Sequence, residues 1–144
     1  MKVMVMVKGT PADESAPPAT EAFEAMGAYN ERLVKAGIML DGAGLRPSAK
    51  GAQIIFEAGT TSVVDGPFTE AKEIIGGYWI WQVSSLEEAV EWARQCPADP
   101  AGRRMILEIR QYGEDEDYGD ALTPELREKE ARLAEEIRAR RATA

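Results

Sequence analysis

Two segments of the chain alternate with the period of a β-strand and yet are apolar on both faces. KVMVMVK (2–8) places three valines on one side and two methionines on the other, because successive side chains of a strand point in opposite directions. YWIWQV (78–83) places two tryptophans and a valine opposite Tyr78 and Ile80. A sheet built from such strands must be covered on both faces, since a large exposed apolar patch usually marks an interface.

The remaining segments predict an α+β fold with one antiparallel sheet. Their order, β-α-β-β-(short helix)-β-α-β, predicts a ferredoxin-like sheet with two main helices on one face and a C-terminal helical extension. The predicted elements are a helix over about Ala19 to Ala36 that Gly37 ends, a hairpin of IMLDGAGLRPS (38–48) with AQIIFEAG (52–59), a continuation in TSVVDG (61–66), a short helix in FTEAKEII (68–75), a helix capped by Ser84 or Ser85, a strand in RMILEIRQY (104–112), and a helix that begins at Thr123 and Pro124.

The second apolar face of the sheet predicts a homodimer. Helices cover only one face in this topology, and a second copy packed about a two-fold axis is the simplest cover for the other. Pockets would then lie between the two sheets. The alternative is that the C-terminal helix folds back over that face, although its apolar stripe is narrow.

Composition excludes several classes of function. The 17 basic and 25 acidic residues give a net charge of -8, which opposes direct contact with nucleic acid or an anionic membrane. Histidine is absent, so proton transfer near neutral pH would need another residue, and neither a metal nor a cofactor is expected. Cys96 is the single cysteine, and the opening apolar run is too short for a signal peptide or a membrane span, so we expect a cytoplasmic protein without disulfides.

Three motifs, in this order and spacing, resemble a known family. GAGLRPS (42–48), DGPFTEAKEIIGGYWIW (65–81) and SSLEEAVEWARQCP (84–97) resemble the DGPF-type branch of the YCII-related proteins. The resemblance implies a dimeric α/β-barrel form of the ferredoxin-like fold over residues 1–112, with 113–144 as an added acidic loop and helix. The chain departs from the family where members often continue the last strand into an Arg-Pro pair, since EIRQY (108–112) stands here.

Five side chains are candidates for a site. The resemblance implies a catalytic role for Asp65, as one half of a His-Asp pair proposed in related proteins, but the histidine has no counterpart here. From its position before Gly-Pro, Asp65 is either a general base or a cap for the backbone N–H groups that follow. Arg46 either anchors an anion or pairs with one of the 25 acids. Three further candidate ligand contacts are Phe68, Lys72 and Tyr78. The alternatives are that Phe68 packs in the core, that the charge of Lys72 faces solvent, and that Tyr78 lies in the core and dimer interface.

Two further segments are given structural roles. We expect Cys96 to be a buried space-filling residue, because no histidine is present to activate its thiol. The acidic run EDEDYGD (114–120) lacks the glycine and glutamate positions of a calcium loop, so we expect a solvated loop.

Three functions follow from these patterns. The first choice is a YCII-like homodimer that binds a small molecule in a pocket between the sheets. The alternatives are a cofactor-free isomerase or lyase that uses Asp65, and an interaction protein. For the interaction protein the resemblance implies a link to transcription, because DGPF-type genes often lie near sigma-factor genes. Whether the protein is an enzyme is left open.

Overall fold

The computed structural model describes residues 1–144. Residues 1–112 form one unit and residues 113–144 another. The strands are β1 (Lys2–Gly9), β2 (Met39–Gly44), β3 (Ala52–Glu57), β4 (Thr60–Asp65), β5 (Ile74–Gln82) and β6 (Ile106–Gln111), and the α-helices are α1 (Thr20–Lys35), α2 (Leu86–Ala93) and α3 (Pro124–Thr143). None of the helices is both long and apolar enough to cross a membrane.

Four of the strands form an antiparallel sheet in the order β2-β5-β1-β6. Within this sheet and its two helices the chain order is β-α-β-β-α-β, which leaves β3 and β4 outside as a separate two-stranded ribbon. The predicted α+β class, the antiparallel sheet and the C-terminal helix are therefore confirmed.

The core lies on the valine and tryptophan face of the sheet. Val5 stands opposite Trp79 in the pairing of β1 with β5, and Trp81, two pairs further along and opposite Val3, is completely buried. Helix α1 packs Tyr29 and Leu33 against this face, with the Tyr29 ring edge-on to Trp79 at 5.9 Å between ring centroids. Each fully buried large side chain of this kind contributes about 1.5–3 kcal/mol.

Hydrogen bonds fix the ends of the two helices that cover the core. Ser85 caps α2 by accepting the backbone N–H of Glu88, as the sequence predicted. Glu88 in return accepts the backbone N–H of Ser84, one residue before the cap. Helix α1 is followed by Gly37 at a positive φ of 73°, which favours glycine. The Tyr29 hydroxyl donates to the carbonyl of Trp92 at 2.6 Å, and thereby links α1 to α2.

The opposite face of the sheet is apolar at its centre and charged towards β6. Met4 stands across from Ile80, and Met6 stands across from Tyr78; all four are half-buried. On β6, charged residues pair with the same two methionines. The two-faced sheet that the alternation predicted is therefore present.

The predicted hairpin of 38–48 with 52–59 is wrong. Strand β2 pairs with β5, and β3 pairs with β4 instead. The two-residue turn at Ala58 and Gly59 explains this pairing, because both residues adopt positive φ (49° and 77°), as hairpin turns of type I′ require. Hairpin closure over two residues takes precedence over pairing across the longer Pro47–Gly51 connection.

The predicted short helix in 68–75 is also wrong. This segment is irregular up to Glu73, and β5 begins at Ile74, four residues earlier than the aromatic run at Tyr78 indicated. Gly76 and Gly77 lie within the strand and do not end a helix. A Cβ on Gly77 would stand 3.0 Å from the carbonyl oxygen of Ala43, so glycine here permits the close approach of β2.

The second unit consists of a 3₁₀ segment (Asp115–Ala121) and α3. Thr123 caps α3 by accepting the backbone N–H of Leu126, and Pro124 stands in the first turn, as the sequence predicted. Arg127 donates to the carbonyls of Leu122 (3.0 Å), Gly119 (3.4 Å) and Asp115 (3.5 Å), and so ties the acidic segment to the helix.

Candidate functional site

A tight corner joins β4 to the irregular segment before β5. Its residues are Asp65–Phe68, with a cis peptide bond between Gly66 and Pro67. Gly66 packs so closely on the turn at Ser48 that an added Cβ would overlap the carbonyl oxygen of Ser48. Its N–H donates to the carbonyl of Gly51 at 3.0 Å. The glycine is required here for space, which the sequence pattern of a turn alone did not indicate.

Ser48 is the hydrogen-bonding centre of this corner. It is 8% exposed, its hydroxyl accepts the backbone N–H of Phe68 at 3.1 Å, and the same hydroxyl donates to Glu14 Oε2 at 2.6 Å. Glu14 Oε1 also accepts the backbone N–H of Ser48 at 2.7 Å. The sequence analysis missed Glu14 and Ser48. Of the two roles left open for Asp65, the cap is not observed at Phe68, because the hydroxyl of Ser48 accepts that N–H.

A cavity of about 340 Å³ opens at the end of the sheet where β1 and β2 finish and β5 starts. We call it the end-of-sheet cleft. Its floor and walls combine apolar side chains, chiefly Val7, Leu45, Ile74 and Met105, with charged side chains from three loops. The charged residues of its lining are Lys8, Asp13, Glu14, Arg46, Asp99, Arg103 and Arg104.

The acids of the cleft are all held by donors of the chain. Asp13 accepts the backbone N–H of Thr10 at 2.7 Å, and this bond lowers the pKa of the Asp13 carboxyl. Asp99 pairs with Arg103, with 2.8 Å between Oδ2 and Nε. Glu14 is held by Ser48 through both oxygens. These carboxylates therefore organise the loops around the cleft.

The cations of the cleft fall into two groups. Lys8 Nζ contacts Glu73 at 2.6 Å and Glu108 at 3.1 Å, and the hydrogen bond with Glu73 is the largest cause of the raised pKa of Lys8. Arg46 and Arg104, in contrast, form no ion pair or side-chain hydrogen bond within the chain. Of the two roles left open for Arg46, pairing with an acid of its own chain is not observed.

The five predicted site residues occupy different places. Arg46 and Phe68 are brought together, because both line a second cavity of about 460 Å³ that shares the wall formed by Glu14 and Arg46 with the end-of-sheet cleft. Tyr78 lines another cavity of about 470 Å³, beside β2 and α1. Asp65 and Lys72 are exposed and line none of these three cavities.

Two other predictions concern possible chemistry. Cys96 packs against the core, and burial raises the pKa of its thiol to about 11, in agreement with a space-filling role. No three acidic or cysteine side chains converge into a group that could hold a metal ion.

Comparisons with known proteins place residues 1–112 in a described family. The model of the YCII-related domain matches these residues. The chain is also 38% identical over 69 residues to the uncharacterized protein R00369 of Rhizobium meliloti (strain 1021). That match covers 48% of this chain and 56% of the relative, so it spans about half the length of each.

Proposed function

Because the chain belongs to the YCII-related family, we propose that it forms a homodimer with a ferredoxin-like, barrel-forming fold and binds a small molecule in the end-of-sheet cleft. One observation carries the binding proposal: apolar walls and two guanidinium groups without partners meet at a single cavity. Ligand sites typically combine a mostly apolar lining with a few placed polar groups.

Binding is tested directly by titrating small-molecule fragments into ¹⁵N-labelled protein. We expect amide shifts to concentrate at residues of the cleft such as Leu45, Arg46 and Met105. The variant Leu45→Trp fills the cleft and should abolish these shifts. Leu40→Trp is the matched control, because Leu40 is an exposed residue of β2 that does not line the cleft. Shifts that spread evenly over the surface, or that persist in Leu45→Trp, would rule out the cleft as the site.

The homodimer proposal is supported by two apolar surfaces of the first unit. One is the half-buried face around Met6 and Tyr78. The other is the β3–β4 ribbon, on which Ile54, Phe56 and Val63 share one face and are 51%, 77% and 65% exposed. A two-stranded ribbon is marginally stable alone in water, so cover from a second copy would stabilise it.

Sedimentation velocity at micromolar concentration tests the dimer. We expect a dimer for the wild type and at least tenfold weaker association for Phe56→Ser. Phe23→Ser is the matched control, because Phe23 is similarly exposed (69%) but lies on α1. A monomeric wild type would contradict the homodimer. If Phe56→Ser and Phe23→Ser dissociate equally, the β3–β4 ribbon is not part of the interface.

The catalytic alternative assigned to Asp65 has no support from its position, since its carboxylate is exposed and lines none of the cavities described above. The interaction alternative has one supporting observation. The apolar stripe of α3 is exposed in the structure, with Leu126, Leu133 and Ile137 at 46%, 42% and 54%. A truncated chain ending at Tyr112 tests it, because loss of dimer or of a captured partner would favour that function for the second unit.

A further inference from the structure

We propose that the end-of-sheet cleft selects a small organic carboxylate with an apolar body. This inference rests on the proposed function, because it names the class of ligand for the same site. Three features carry it: two free guanidinium groups, acids that the chain itself already engages, and an apolar wall.

The free guanidinium groups are the first feature. The chain has 25 acidic residues against 17 basic ones, so an arginine has many potential partners. Arg46 and Arg104 nevertheless form an ion pair with none of them; the lowered pKa of Glu73 comes chiefly from its hydrogen bond with Lys8, and Arg104 makes only the smallest contribution. A planar guanidinium presents a fork of N–H donors that matches a carboxylate in two parallel hydrogen bonds. Both forks are therefore available to a ligand.

The engaged acids are the second feature. The oxygens of Asp13, Glu14 and Asp99 each accept hydrogen bonds from the chain, so these carboxylates do not compete with a ligand for the free guanidinium groups. Asp99 is also neutralised by Arg103. The side-chain donors without partners in the lining are thus the guanidinium groups of Arg46 and Arg104, whose geometry suits an anion although the whole chain has a net charge of -8.

The apolar wall is the third feature, and it distinguishes an organic acid from a simple anion. Val7, Leu45, Ile74 and Met105 line the same cavity, and Leu45 is 49% exposed. An inorganic anion would leave this surface wet, whereas an aliphatic or aromatic body would cover it. The volume of about 340 Å³ is near the lower end for ligand pockets, which indicates a small ligand.

The test is a calorimetric and NMR titration with 4-phenylbutyrate, its uncharged amide 4-phenylbutyramide, and sodium sulfate. We expect the carboxylate to bind at least tenfold more tightly than the amide or sulfate. Arg46→Gln and Arg104→Gln should each weaken 4-phenylbutyrate by about tenfold or more, because each removes charged hydrogen bonds to the carboxylate. Arg94→Gln is the matched control, since Arg94 is an exposed arginine directly after α2 that does not line the cleft.

Three results would overturn the inference, and they are distinguishable from failure of the proposed function. Equal binding of acid and amide, unchanged in both arginine variants, would refute the carboxylate class while small-molecule binding stands. Sulfate that binds as tightly as 4-phenylbutyrate would show a simple anion site. No shift at any lining residue with any small molecule would refute the proposed function together with this inference.

Discussion

The corner at Gly66 should be the position of the first unit that least tolerates an added methyl group. In Gly66→Ala the new Cβ would stand 2.5 Å from the carbonyl carbon of Ser48 and would overlap its oxygen. Cβ contacts below 3.0 Å essentially do not occur, so the backbone must move by at least 0.5 Å at the carbon and by more at the oxygen. The displaced atoms are backbone, so no flexible side chain can absorb the shift.

The magnitude follows from two contributions. Overpacking of this kind costs about 1–3 kcal/mol. The same movement disturbs the bond from the Gly66 N–H to Gly51 and the bond from the Phe68 N–H to Ser48, each of which contributes about 0.5–1.5 kcal/mol. We therefore expect Gly66→Ala to lower the free energy of unfolding by about 2–6 kcal/mol, a large part of the roughly 5–15 kcal/mol typical of a domain.

Urea unfolding followed by near-ultraviolet circular dichroism measures this change. Gly44→Ala is the matched control, because a Cβ on Gly44 meets nothing within 4 Å, and its effect should stay below about 1 kcal/mol. If both variants lose less than about 1 kcal/mol, the corner is deformable and the steric account of Gly66 is refuted.

Three further predictions concern hydrogen bonds, a thiol and an ion pair. Ser48→Ala should lower the free energy of unfolding by about 1–3 kcal/mol in urea titrations, because Glu14 loses a donor and a buried N–H loses its acceptor. Cys96 should react with iodoacetamide at pH 8 about a hundredfold more slowly in the folded than in the unfolded protein, since burial raises its thiol pKa to about 11 from 9.0; equal rates would contradict its burial. The hydrogen bond with Lys8 lowers the pKa of Glu73, so the stability that Glu73 contributes is present above its unfolded pKa of 4.5 and is lost as the pH falls through its folded pKa. The free energy of unfolding of Glu73→Gln should therefore depend less on pH below 4.5. An unchanged pH profile would contradict the ion pair.

The elements with strong periodicity or caps were predictable from the sequence. Alternation over residues 2–8 gave both faces of β1, and the serines before Leu86 gave the start of α2. These signals are local, because a cap or an alternating strand is defined within a few residues.

The pairing of β3 and the absence of the short helix were not predictable in the same way. Positive φ at Ala58 is uncommon for a residue other than glycine, so the two-residue turn lacked its usual sequence signal. The segment before Ile74 contains helix-forming residues, but Lys8 holds Glu73 and the neighbouring strand pairs with Ile74, and this tertiary pairing overrides the local propensity.

Of the residues that line the candidate site, only Arg46 was singled out from the sequence. Arg46 was recognised from its chemistry, and the structure places it on the cleft. Glu14, Arg104 and Ser48 come from loops far apart in the chain, and only the fold brings Glu14 to Ser48, 34 residues away. A single serine or glutamate in a surface loop carries no signal for such a contact.

The tryptophans are intrinsic fluorescent probes of only one of the two units of the protein. All three, Trp79, Trp81 and Trp92, lie within residues 1–112, and the 113–144 segment contains none. Two of them are buried with ring centroids 5.8 Å apart, so their emission should be blue-shifted in the native state and move to longer wavelength when the sheet melts. Tryptophan fluorescence therefore follows residues 1–112 alone, whereas far-ultraviolet ellipticity also counts the 20 residues of α3. A difference between the fluorescence and ellipticity melting curves would show that the second unit unfolds independently of the first.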